Sequence, residues 1–147
     1  MIPDSQRTVS TARISRLIHA SMVAGLLFMA VTLYVVRRVA TAQALTVPIV
    51  GPVLGGVALV LLTVAAAAVR PRIAARRFDQ NADDYWSGIE TRTAAILLWG
   101  IAEGAGLVGC VGYFLTGATA PAVAVFLALV MLTFFRPSRL EGEGSSA

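Results

Sequence analysis

Glu103 is the one acidic side chain that falls inside a long apolar run, I-L-L-W-G-I-A-E-G-A-G-L-V-G-C-V-G-Y-F-L-T-G from Ile96 to Gly117. A carboxyl at such a depth does one of two things: it carries a proton or ion, or it hydrogen-bonds a neighbouring helix. Few side chains could join it. The chain has one histidine, His19, and one cysteine, Cys110. An intrachain disulfide is therefore excluded, and neither a histidine-based metal site nor a catalytic dyad can be assembled. No G-x-S-x-G, phosphate-binding glycine loop or H-E-x-x-H is present. Neither a metal nor a cofactor is expected.

Positioning such a carboxyl requires elements that suit lipid. Of the 147 residues, 57% are hydrophobic and 14% charged, with a mean hydropathy of +0.78. Soluble domains carry roughly 25% charged residues, so the chain lacks polar surface for water. A crossing of about 30 Å of hydrocarbon takes about 20 helical residues. Helix one is expected over 16–36; it is longer than a signal-peptide core of about 7 to 15 residues and is followed by Arg37-Arg38, so it is read as a span. Helix two is expected over 47–69, with Pro48 and Pro52 tolerated in a first turn but Pro52 a source of a kink if the helix begins at Val47. Helix three covers 93–115, and helix four 118–135 with Pro121 in its first turn. The turn at Thr116 to Thr119 makes helices three and four a tight antiparallel hairpin. Residues 1–15 form a polar N-terminal segment, 70–92 a polar connection, and 136–147 a Gly/Ser-containing tail expected to be disordered.

All the positive charge is arginine, and the net charge is +4. With four spans, ten arginines (7, 13, 16, 70, 72, 76, 77, 92, 136 and 139) collect on one side, and only Arg37 and Arg38 on the other. The positive-inside bias then places both termini and the 70–92 connection in the cytoplasm. Charge so distributed anchors helices at a membrane and gives no reason to expect nucleic acid as a partner. The 70–77 arginines can also attract anionic headgroups, at roughly 1 kcal/mol each.

At 100° per residue, Ile96, Trp99, Leu107 and Cys110 lie within about 40° of Glu103, and Gly100 and Gly106 within about 60°. Gly104, Gly109 and Gly112 occupy other sides, so helix three is expected to be packed by protein on several faces. Gly51 and Gly55 give helix two the small-xxx-small spacing of close helix contacts. A charged residue at a helix centre costs roughly 2.5 to 3.5 kcal/mol on translocon scales. A polar partner lowers that cost, and His19 and Thr63 are the expected donors to Glu103.

The run Glu103 to Gly117, with its mid-helix E-G-A and its Y-F-L-T-G exit, resembles the third helix of small four-helix bacterial membrane proteins, a family that implies no established activity. More weakly, Glu103 and its neighbouring glycines are similar to the proteolipid subunits of rotary ATPases. That resemblance implies ion carriage by the acid, although here the glycines and Glu103 share one helix.

Asp79, Asn81, Asp83, Tyr85, Ser87 and Glu90 have the spacing of a calcium loop, but Asp84 stands where the sharp turn needs glycine. The alternative is a solvated stretch in which Asp83 or Asp84 caps helix three. The sequence reading is thus an all-α integral membrane four-helix bundle in the cell membrane, with the lipid bilayer and either further copies or other membrane subunits as partners. Association as a subunit, accessory or scaffold is the first functional expectation, proton or ion translocation through Glu103 the second, and an enzyme the third.

Overall fold

The computed structural model describes residues 10–39 and 47–142, and every element among them is helical. They are α1 (Thr11–Val39), α2 (Val50–Val64), α3 (Ala82–Ser87), α4 (Ile89–Thr116), α5 (Thr119–Phe134) and α6 (Pro137–Gly142). Residues 1–9, 40–46 and 143–147, which include most of the first expected loop and the end of the tail, lie outside the described residues.

Three helical stretches are long and apolar enough to cross a membrane: Thr11–Val39, Val50–Arg72 and Ile89–Thr116. The fourth apolar helix, α5, has 16 residues, about 24 Å at 1.5 Å per residue. Helix α2 begins at Val50, which puts Pro52 in its first turn where it needs no intrahelical donor. At its other end the chain widens into a π turn over Ala65–Val69 and closes in a 3-10 turn over Arg70–Arg72. Pro71 explains this: it lacks the N–H that would bond the Ala67 carbonyl, so regular α geometry stops short of it.

Helix α4 is the hub, touching α1, α2 and α5. Its small residues make that possible. A Cβ on Gly106 would stand 2.6 Å from Leu26 of α1 and 3.1 Å from Ala128 of α5. One on Gly109 would meet the Pro121 carbonyl oxygen at 2.8 Å, and one on Gly112 would meet Pro121 at 3.0 Å and Leu54 of α2 at 3.1 Å. Three glycines at successive turns therefore admit three neighbours. Gly51 and Gly55 of α2 likewise lie against Ala118 and Ala120 at the start of α5.

At one end of the bundle the α4–α5 turn is made by Gly117, whose φ of 68° is left-handed and whose N–H returns to the Tyr113 carbonyl at 2.8 Å. Arg37 lies against Gly117 and donates to the Phe114 carbonyl, tying α1 to that turn. The opposite end gathers the start of α1, α3 and α6. Segment 137–142, expected to be disordered, is a helix with Leu140 and Glu141 buried. Pro137 is compatible with a first helical turn as well as with an ending, and burial of Leu140 decides between the two.

Candidate functional site

Glu103 sits midway along α4, and its carboxyl faces α1 at Gly25, where an added Cβ would be 3.4 Å from Oε1. The bare glycine leaves room for the acid. Among the described residues nothing donates to Glu103 or pairs with it, and no fully buried polar side-chain atom lacks a partner. Its oxygens therefore open at the surface of the bundle, along the seam between α1 and α4.

Both expected donors are engaged elsewhere. His19 Nε2–H donates to the Leu132 carbonyl at 3.0 Å, and its ring meets Trp99 edge-on at 5.0 Å. That places His19 beside Trp99, one turn below Glu103, and fastens α1 to α5. Thr63 Oγ1 bonds its own helix at Leu59, 2.9 Å away, and lines the α2–α5 side of the bundle. A backbone carbonyl four residues back is always within a helical threonine's reach. His19 and Thr63, the expected partners of Glu103, both bond backbone carbonyls, and the acid has no donor among the described residues.

The glycines divide as well. Gly51, Gly55, Gly106, Gly109 and Gly112 are filled by neighbours, whereas a Cβ on Gly100 or Gly104 would meet nothing within 4 Å. These two were expected to pack helices, and among the described residues no neighbour lies where their Cβ would be. With Leu97 and Val111, each 46% exposed, they form an open strip of α4 lying about 60° to 120° around the helix from Glu103. The carboxyl borders a surface of small residues at G-x-x-x-G spacing.

Sequence reasoning missed a second carboxylate. Glu141 of α6, 8% exposed, accepts from Arg16 Nη2 at 2.6 Å, Arg16 Nε at 3.2 Å and the Trp86 indole N–H at 2.8 Å. Trp99 Nε1–H donates to the Phe135 carbonyl at 2.8 Å, and the Trp86 and Trp99 rings lie 5.8 Å apart. Trp86 is buried in this clasp, and Tyr85 beside it is buried with its hydroxyl donating to the Ala74 carbonyl at 3.0 Å. The only sequence signal was Leu140-Glu141 next to Pro137, too short to show a periodicity.

Asp83 departs from its expected role too. It receives the Ser10 hydroxyl at 2.5 Å and the Ala12 N–H at 3.0 Å, so it caps α1 from across the fold, while Asn81 caps α3 by accepting from Asp84 N–H at 2.8 Å. These donors, the Ser10 hydroxyl first and the Ala12 N–H next, hold the Asp83 carboxyl below the usual range. Among the described residues no three of His, Cys, Asp and Glu are grouped to hold a metal, and no set of reactive side chains converges. What the arrangement offers chemically is one open carboxyl beside an uncovered helix face. No protein-family model, curated protein or solved structure matches the chain.

Proposed function

We propose that this chain is a multi-pass protein of the cell membrane that acts by helix association, as a subunit, accessory or scaffold. Its docking face is the α4 strip of Leu97, Gly100, Gly104 and Val111, with Glu103 at the edge. In this reading α1, α2 with its extension, α4 and α5 are the four spans. Both termini and the 70–92 connection are cytoplasmic, following the ten-to-two arginine bias. The reading is supported by contacts that bring Ser10, Asp83, Arg16 and Glu141 to one end of the bundle and Arg37, Phe114 and Gly117 to the other. One observation carries the association reading: five glycines are filled by neighbours and Gly100 and Gly104 are empty. Small residues at this spacing let a second backbone approach closely, which is what drives association where lipid offers no hydrophobic gain. A donor on that second helix would also relieve the cost of Glu103 in hydrocarbon.

The test is a photo-crosslinking residue placed at Leu97 or Val111 in cells. A discrete protein adduct is expected, from a second copy or another membrane subunit, and Gly100→Leu with Gly104→Leu should abolish it. A crosslinker at Leu97 that captures lipid alone, or an adduct indifferent to both leucines, rejects the reading.

A second reading, proton or ion translocation through Glu103, is favoured by the acid having no donor among the described residues. Carbodiimide labelling of Glu103 that speeds up at low pH and is blocked by sodium supports it; an unreactive Glu103 removes it.

A further inference from the structure

The outer face of α5 carries a groove of about 510 Å³, walled by Phe126, Val130 and Phe134 and closed at one end by Arg136 and Arg139. Its walls are open to the surroundings, with Phe126 64%, Val130 45% and Phe134 52% exposed. The Arg139 guanidinium lies 4.4 Å over the Phe134 ring, so the cation is held on the apolar wall at the mouth of the groove. Among the described residues neither Arg136 nor Arg139 has a carboxylate within ion-pair distance. This groove combines an uncovered apolar channel with two guanidinium groups at one end that no carboxylate pairs among the described residues.

The length of α5 adds a separate reason for an anion there. Its 16 residues span about 24 Å against roughly 30 Å of hydrocarbon. A short span pulls its flanking groups inward or thins the bilayer locally. Arg136, two residues beyond the end of α5, is thereby brought close to the hydrocarbon, where an uncompensated guanidinium is costly. A phosphate between the two arginines removes that cost through charge-assisted, bidentate hydrogen bonds.

We infer that the α5 groove binds an anionic phospholipid, with its phosphate between Arg136 and Arg139 and an acyl chain along Phe126, Val130 and Phe134. This rests on the membrane placement above but is independent of the α4 docking face, which lies on another helix. Two arginines at about 1 kcal/mol each correspond to an affinity ratio of about 30-fold over a zwitterionic lipid with the same chains, at 1.4 kcal/mol per decade.

The full chain, exchanged from detergent into nanodiscs containing dioleoyl phosphatidylglycerol and dioleoyl phosphatidylcholine in equal amounts, is released and weighed by native mass spectrometry. Phosphatidylglycerol should be retained preferentially. Arg136→Gln with Arg139→Gln should reduce that preference about 30-fold, while Arg13→Gln with Arg92→Gln, which removes the same charge outside both the groove and the 70–77 cluster, should leave it in place. Val130→Trp, which fills the channel and keeps both arginines, should weaken retention without altering charge. Equal retention of the two lipids overturns the proposal, as does an equal loss in both double variants, which would mean diffuse attraction. Retention unaffected by Val130→Trp also overturns it. Carbonate washing of membranes reads the placement separately: a chain stripped by carbonate defeats that placement, whereas a chain that stays embedded without lipid preference defeats only the site.

Discussion

Two carboxylates in this chain have opposite surroundings. Glu141 takes hydrogen bonds from Arg16 and Trp86 and is 8% exposed, joining α1, α3 and α6 into one clasp. Glu103 lies in the middle of α4, the helix that touches α1, α2 and α5, and has no donor among the described residues, with open glycines beside it. The first acid is spent on the fold, and the second is left for something outside it. Charge in an apolar setting is therefore not by itself a sign of function; the supply of donors around it is. The glycines of α4 repeat the lesson. Gly106, Gly109 and Gly112 are holes for internal neighbours, and Gly100 and Gly104 are holes without an occupant.

The largest effect expected to probe this contrast comes from Gly109→Val. The Pro121 carbonyl oxygen at 2.8 Å is backbone and cannot yield as a side chain would, so overpacking should cost about 3 kcal/mol, read by unfolding in mixed lipid–detergent micelles. Glu141→Ala comes next. It leaves the buried Trp86 indole N–H without an acceptor, a loss of about 2 kcal/mol, whereas Glu141→Gln keeps an acceptor and should lose less. If Glu141→Ala were harmless, the clasp would be no different from the open seam.

Glu103→Gln should change monomer stability by less than about 0.5 kcal/mol, as for a position without an internal partner. A loss comparable to that of Glu141→Ala would erase the distinction between the two acids. The smallest effect is local and pH-dependent. Asp83 is held below its ordinary range by Ser10 and the Ala12 N–H, so its contribution is complete above about pH 4, the unfolded value. It disappears as pH falls through the lower folded value. Amide exchange at Ala12 should accelerate in that acid window, and Asp83→Asn should shift the acceleration to neutral pH.

That the chain forms long apolar helices could be read from the sequence because hydrocarbon thickness imposes a length, and apolar runs either reach it or do not. The turn at 116–119 was expected from its shortness alone; that Gly117 makes it with a left-handed φ came from the structure. The start of α1 at Thr11 rests on two caps, of which only one is local: Ser10 accepts the Arg13 N–H at 3.3 Å, whereas Asp83, which accepts the Ala12 N–H, is more than 70 residues away. Helix α6 was not legible, because its six residues are too few for an apolar period and are held by Arg16 and Trp86 from other elements. The open acid was expected with His19 or Thr63, and both donors found carbonyls closer to hand.

The sequence by itself determined an apolar helical chain with one acid deep in its third long helix, since hydropathy, length and arginine placement are properties of a chain in one dimension. Tertiary structure alone decided which glycines are filled, which carboxylate is satisfied and which face of α4 is bare. Those depend on distances between helices far apart in sequence, and at 100° per residue the wheel gives each side chain a direction but does not say what stands opposite it.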